Sequence, residues 1–275
     1  MRRLSVNASH EVYYFMMKSI TRSQGPDQEE IVRKQLELEE LEQELAENEL
    51  DLSTARRDVH LFEIRYQRVV GCKYAELDRL KASVLEMATR IHPDSKDFRS
   101  QAEAAREQAE QSAHNWEVHQ DESELELPEP SEELKKLFRD AAKRIHPDLT
   151  TDPEERERRH ALMARLNQAY ELGDLEQVKA ILNDWEIISD WDQLTPGKQL
   201  SRLLKQIGQV RHRFNQIQTE LEQLKLSEMF RLKDFVQNSE KQGDDVLADM
   251  VADAEEKIQN LRIRVKNLAI DCSEL

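Results

Sequence analysis

A heptad pattern runs from Gln28 to Val69 without a proline or a glycine, and it constrains this part of the chain to a long helix. Apolar residues recur at alternating three- and four-residue steps, as they do at the a and d positions of a coiled coil. They are Ile31, Leu38, Leu41, Leu45, Leu52, Ala55, Val59, Phe62, Tyr66 and Val69, with the polar Lys34 and Asn48 at two further positions. An ordinary amphipathic helix would show the same residues. We favour a coiled coil because the pattern lasts for more than five repeats.

Composition extends this interpretation to the whole chain of 275 residues. Charged residues make up 35% and hydrophobic residues 38%, whereas aromatic residues make up only 5%. The 6 glycines and 7 prolines are too few for the turns that connect the strands of a β-rich fold. We therefore predict an all-α, elongated protein in which long coiled-coil helices flank a small helical module.

Charge and hydropathy argue against several classes of function. A net charge of −16 disfavours nonspecific nucleic-acid binding, which depends on lysine and arginine at the phosphates. No run approaches 18 apolar residues, so we expect no membrane span, and the N-terminal residues lack the apolar run of a signal peptide. Cys72 and Cys272 are isolated, which suits a reducing cytoplasm and provides neither a disulfide framework nor a metal site.

Breaks at proline and glycine divide the chain into five predicted segments. These are an N-terminal segment with an aromatic patch near Tyr13, a coiled-coil and helical region, an acidic linker, a compact helical module and an antiparallel coiled-coil hairpin. In that order they occupy residues 1–28, 29–115, 116–130, 131–185 and 196–271. We expect Gly71 to interrupt the first helix and Pro93 to end the next one. Self-association through the heptad patterns is a further expectation.

Residues 131–148 carry the most informative pattern, SEELKKLFRDAAKRIHPD. Apolar residues at helical spacing predict one face that packs into a core, Ser131 can cap the helix, and Pro147 ends it. The opposite face carries Lys135, Lys136, Arg139, Lys143 and Arg144 against Asp140 alone. In a chain with a net charge of −16, this concentration of positive charge favours an acidic partner over a merely solvated face.

A second helix is predicted to begin at Pro153, because proline is favoured at the first helical position. Its apolar face includes Leu166 and Tyr170, and Gly173 is expected to end it. Two helices with matching apolar faces and a short connection can pack as an antiparallel pair. We therefore expect His146, Pro147 and Asp148 to be held out at the tip of this pair.

This arrangement resembles helices II and III of a J domain, the DnaJ-type co-chaperone module. The resemblance depends on the basic helix that ends in KRIHPD and on the later LNQAY at 166–170, and it covers about 131–182. No Tyr-x-x-Leu-Gly first helix precedes Glu132, and neither a Gly/Phe-rich region nor paired-cysteine zinc repeats occur. Client binding would then fall to the coiled-coil arms or to a separate factor.

The resemblance implies that the chain docks on a DnaK-type chaperone and accelerates its ATP hydrolysis, without being an enzyme itself and without a cofactor. The five cations between Lys135 and Arg144 would meet an acidic chaperone surface, and His146, Pro147 and Asp148 would form the signalling loop. Asp148 would make a charge-assisted bidentate pair with a chaperone arginine. Asn167 and Tyr170 would hold the second helix in place.

A second Arg-Ile-His-Pro-Asp sequence stands at 90–94. Arg90 is the one cation near the end of its preceding helix, and the following helix offers mostly alanine and no Asn-x-Ala-Tyr motif. We expect the alanine face to bury too little apolar surface for a stable helix pair. We interpret His92, Pro93 and Asp94 as the end of a helix in preference to a second chaperone-docking loop.

Two hypotheses from different classes remain. The first is a J-domain co-chaperone whose coiled-coil arms select the client or the location. The second is a structural coiled-coil scaffold in which residues 131–185 form only a packed pair of helices. Catalysis is not expected, because no serine or cysteine nucleophile lies near His146 and the sequence has no phosphate-binding glycine loop.

Overall fold

The structure, a computed structural model, describes residues 26–120, 129–183, 185 and 195–273. Within these ranges the chain is helical and contains no strand, which confirms the all-α class. None of the described helices combines the length and the apolar character that crossing a bilayer requires. The aromatic patch near Tyr13 and most of the predicted linker lie outside the described residues.

The described residues form nine α-helices in two compact units. The helices are α1 (Pro26–Tyr66), α2 (Cys72–Ile91), α3 (Lys96–Gln120), α4 (Glu132–Ile145), α5 (Pro153–Leu172), α6 (Leu175–Asn183), α7 (Pro196–Leu226), α8 (Glu228–Glu240) and α9 (Val246–Ser273). Unit 1 comprises the described residues up to 54 and those from 129 to 221, and unit 2 comprises 55–120 and 222–273. The compact module predicted at 131–185 therefore shares unit 1 with parts of α1 and α7.

The heptad positions of α1 and α7 form one apolar cluster of unit 1. Buried in it are Ile31, Leu38, Leu45 and Leu52 of α1 with Leu203, Ile207, Val210 and Ile217 of α7. Leu149, from the loop after α4, lies in the same cluster. The two heptad patterns thus pack against each other within one chain.

The second apolar cluster of unit 1 holds α4, α5 and α6 together, with Ala46 and Leu50 contributed by α1. Phe138 of α4 and Tyr170 of α5 are both fully buried, and their ring centroids lie 4.9 Å apart. Near the other end of the pair, Arg159 of α5 donates to the carbonyl oxygen of Arg144. The end of α4 therefore meets the start of α5, so that these two helices run antiparallel.

Local hydrogen bonds confirm the predicted helix ends in this segment. The Ser131 hydroxyl accepts from the amide N–H of Leu134 at 3.1 Å, and the Asp152 carboxylate accepts from that of Glu155 at 2.9 Å. Gly173 ends α5 with a φ of 73°, a left-handed conformation that is costly for residues with a Cβ atom.

Unit 2 differs from two of the sequence-based expectations. Gly71 does not interrupt the first helix: the chain passes through a wide π-helical turn at Gln67–Gly71 and continues as α2, with helical angles at Gly71. The alanine-rich α3 does pack on α2, so the expectation that no such pair would form is wrong. Small side chains allow close approach, and Ser112 of α3 donates to the buried Asp78 of α2 at 2.8 Å.

The last helix, α9, packs on α2. The sequence pattern predicts a different arrangement, an antiparallel hairpin with the heptad segment that precedes α9. Lys73 pairs with Glu255 at 2.7 Å, and further along both helices Glu76 pairs with Arg262 at 2.5 Å. Contacts that advance together along both helices indicate a parallel arrangement. Phe62, Val70, Val236 and Leu247 form the buried cluster of this unit.

Two adjacent leucines of α7 provide a test of the intramolecular packing in unit 1. Leu203 is 2% exposed and Leu204 is 49% exposed. We expect Leu203→Ala to lower the free energy of unfolding by about 2–5 kcal/mol, because it leaves a cavity, and Leu204→Ala to cost well under half as much. Equilibrium denaturation with urea measures both, and equal losses would contradict the assigned packing.

Candidate functional site

The His-Pro-Asp loop at 146–148 is largely buried, so the expectation that it is held out at the tip of the helix pair is wrong. His146 is 1% exposed and Pro147 is buried, whereas the side chain of Asp148 is 22% exposed. The physical reason is that α1 and α7 supply packing partners that the sequence of 131–185 alone does not reveal. Leu149, directly after the loop, packs among the heptad leucines of these helices.

His146 is held by hydrogen bonds at both ring nitrogens. The backbone N–H of Asp148 donates to its Nδ1 at 3.1 Å, so Nδ1 carries no proton in this arrangement. Nε2 then carries the proton and donates to Oε1 of Glu49 in α1, at 3.0 Å. The ring thereby connects the loop after α4 to the first helix.

Glu49 is 3% exposed and binds two partners that come from different parts of the chain. Besides His146, Arg213 of α7 donates from Nε to Oε1 at 2.7 Å and from Nη2 to Oε2 at 3.2 Å. Burial acts to raise the pKa of the Glu49 carboxyl, but the hydrogen bonds from His146 and Arg213 outweigh it and lower the pKa to about 2. The carboxylate is therefore ionised at neutral pH.

Arg213 is itself fixed by two carboxylates. Its Nη1 donates to Oε1 of Glu220 at 2.7 Å, in addition to the two bonds to Glu49. Burial acts to lower the pKa of Arg213, but the hydrogen bonds to Glu49 and Glu220 raise it above its ordinary value. We call His146, Glu49, Arg213 and Glu220 the buried polar cluster.

Two further side chains bind the backbone of the loop. Arg159 donates from Nη1 to the carbonyl oxygen of His146 at 3.1 Å, and its guanidinium lies 4.9 Å from the ring centroid of Trp185. Gln206 of α7 donates from Nε2 to the carbonyl oxygen of Leu149 at 2.6 Å. The loop is therefore bound by α1, α5 and α7.

The five predicted docking cations do not share one environment. Lys136 and Arg144 are exposed, and Lys135 donates to Glu132 of its own helix at 2.9 Å. Arg139 instead pairs with Glu47 of α1 at 3.2 Å. Lys143 is half-buried and lies near Glu42 of α1. Its positive charge acts to lower the pKa of the Glu42 carboxyl, but burial has the larger effect and raises that pKa. Two of the five thus face an acidic helix of the same chain.

The two predicted supporting residues lie on α5 beside α1. Tyr170 is fully buried, and its hydroxyl oxygen lies 2.8 Å from that of Thr54. Asn167 accepts at Oδ1 from the Ser53 hydroxyl at 3.4 Å. Both side chains therefore lie where they position α5.

The earlier copy of the motif has the opposite exposure. His92, Pro93 and Asp94 are all exposed at the connection between α2 and α3. The loop is ordered by local contacts: the rings of His92 and Phe98 stack with centroids 5.6 Å apart, and Arg99 donates to the carbonyl oxygen of Pro93 at 3.2 Å. Identical pentapeptides thus occupy a buried loop in one unit and an exposed one in the other.

Sequence reasoning missed the residues that hold the loop, namely Glu49, Arg213, Gln206 and Arg159. Glu49 and Arg213 flank the heptad positions, where charged residues commonly pair across helices. That placement is the one sequence signal that could have suggested a pairing role for them. Their partners could not be assigned without knowing that α1 and α7 pack together. Among the described residues, no group of three or more histidine, cysteine or acidic side chains is placed to hold a metal ion.

Comparisons with known proteins do not assign the chain to a family. No family model, curated protein or solved structure matches it. From the geometry alone, the candidate site consists of the buried polar cluster, the partly exposed Asp148 and the cationic face of α4.

The buried carboxylate predicts an acid-dependent loss of stability. Because folding lowers the pKa of Glu49 from 4.5 to about 2, its contribution is fully present above about pH 5 and is lost as the pH falls towards 2. A shift of this size corresponds to a few kcal/mol, at about 1.4 kcal/mol per pKa unit. We expect Glu49→Gln to lower the free energy of unfolding at pH 7, and its difference from the wild type to shrink below pH 5.

Urea denaturation at several pH values measures this difference. Glu40→Gln, at an exposed position of the same helix, serves as the matched control and should stay close to the wild type throughout. A Glu49→Gln difference that does not change with pH would contradict an ionised, buried Glu49.

Proposed function

We propose that the chain is a J-type co-chaperone that docks on a DnaK-type chaperone through the segment 131–149 and accelerates its ATP hydrolysis. The support is the combination of a basic helix, a His-Pro-Asp loop and a following helix with Asn167 and Tyr170. Close packing of Phe138 on Tyr170 in an antiparallel pair is compatible with that module. The same proposal includes a cytoplasmic location and a protein client that the helical arms select.

The observation that carries the proposal is the position of Asp148. Its carboxylate is partly exposed, and Nη2 of Arg156 lies 3.7 Å from Oδ1 of that carboxylate. That distance is too long for a direct hydrogen bond. An arginine of a partner protein could bind the same carboxylate in a shorter, bidentate geometry. The exposed Lys136 and Arg144 add positive charge for the approach of an acidic surface.

Burial of His146 and Pro147 sets a condition on this function. A partner that contacts these residues needs the loop to separate from Glu49 and Gln206 first. Docking through the whole motif is therefore coupled to a local opening of unit 1. Because only open molecules can bind, the apparent affinity falls in proportion to the fraction of molecules that are open.

Stimulation of a purified DnaK-type chaperone ATPase tests the proposal. We expect the wild type to accelerate hydrolysis, Asp148→Asn or His146→Gln to abolish the acceleration, and Asp94→Asn to leave it intact. The Asp148→Asn substitution keeps the size of the side chain and removes the charge that an arginine would bind.

Asp94→Asn is the matched control, because it makes the same change in the identical pentapeptide. A loss confined to Asp94→Asn would move the docking site to the exposed loop at 92–94. Absence of acceleration by the wild type, and by a variant whose loop is freed from α1, would refute the proposal.

A structural scaffold is the second candidate function, and the buried polar cluster favours it. Glu49, His146 and Arg213 join α1, the loop after α4 and α7, which is what a brace between helices requires. Under this alternative, partner capture by the full chain would be indifferent to Asp148→Asn. Sedimentation at several concentrations would report whether the chain also self-associates.

A further inference from the structure

Part of the cationic face of α4 is in contact with a strongly acidic part of α1. Residues 26–54 of α1 contain eleven acidic side chains and two basic ones. Arg139 pairs with Glu47 there, and Lys143 and Arg159 lie near Glu42, where their positive charges favour its ionised form against burial. An acidic helix therefore occupies part of the surface at which the proposed function requires an acidic partner.

The same stretch of α1 also holds the loop. Glu49 accepts from His146, two residues beyond Glu47, while Gln206 of α7 binds the carbonyl oxygen of Leu149 from the other side. Residues 42–49 of α1 thus contact both parts of the proposed docking surface, the cationic helix and the His-Pro-Asp loop. A partner that uses these parts together cannot bind while α1 is in place.

We propose that residues 42–49 of α1 act as an internal occupant that closes the docking surface of α4 and the 146–148 loop, and that an acidic partner surface must displace them. This inference rests on the proposed function and describes how docking on the chaperone would be regulated. The outer contacts suit displacement, because the side chain of Arg139 is 32% exposed and that of Glu47 is 46% exposed. Partly exposed pairs of this kind exchange readily for other partners. His146 and Glu49 then define the closed position.

Charge reversal in α1 provides the test. In the full chain, Glu42→Lys with Glu47→Lys places like charges against Lys143 and Arg139, which should favour the open state. We expect several-fold faster hydrogen–deuterium exchange of backbone amides in 132–149. We also expect several-fold greater stimulation of a DnaK-type ATPase than by the wild type, and loss of that stimulation when Asp148→Asn is added.

The matched control is Glu40→Lys with Glu44→Lys, which makes the same change in charge at two exposed positions of the same helix. Exchange in the buried part of α7, residues 203–217, reports on unfolding of unit 1, and exchange in α2, residues 72–91, reports on unfolding of unit 2; both should stay as in the wild type. A second variant, Glu47→Lys with Arg139→Glu, reverses the pair and should restore slow exchange in 132–149 relative to Glu47→Lys alone.

The outcomes distinguish closure of the docking surface by residues 42–49 from the co-chaperone activity. Faster exchange without stimulation by any variant supports the closure and refutes the co-chaperone activity. Unchanged exchange in the Glu42→Lys, Glu47→Lys chain relative to its control overturns the closure, whatever the ATPase rate. If the wild type does stimulate the ATPase, faster exchange in the variant with stimulation no greater than that of the wild type also overturns the closure, because opening would then not limit docking.

Discussion

The arrangement of unit 1 depends on one buried carboxylate. Removing a carboxylate from water is costly unless hydrogen bonds and an opposite charge compensate it, and Glu49 obtains both from His146 and Arg213. Because these three residues lie in different elements, satisfying Glu49 fixes α1, the loop after α4 and α7 together. Apolar packing supplies most of the stabilisation, but it is tolerant of small shifts. The charged hydrogen bonds require particular distances and so define the position of the loop.

This constraint changes the meaning of the His-Pro-Asp motif. In the resemblance, His146 and Asp148 belong to one signalling surface, whereas in the structure they differ in environment. His146 is part of the buried polar cluster, and Asp148 remains partly exposed. A structural role for His146 and the proposed docking role of Asp148 are compatible, provided that the loop has a closed and an open position.

Local features of the fold could be predicted from the sequence, and pairings across the chain could not. The heptad leucines, the Ser131 cap, the end of α4 at Pro147 and the start of α5 at Pro153 each follow from neighbouring residues. Glu49 and His146 are 97 positions apart, and many acidic residues of α1 could have faced that histidine equally well. The choice depends on how α1 and α7 pack. Gly71 shows the reverse case, in which a residue that often breaks a helix is accommodated by a wide turn.

The tautomer of His146 tests the central claim most directly. In a chain labelled with ¹⁵N-histidine, long-range proton–nitrogen correlations distinguish a protonated Nε2 from a protonated Nδ1. The closed arrangement predicts a single form of His146, in which Nδ1 accepts from the Asp148 amide and Nε2 carries the proton, with slow exchange of that proton with water. The wild type and Asp94→Asn should give the same result. A proton on Nδ1, or averaged tautomers in rapid exchange with solvent, would contradict a loop held by Glu49.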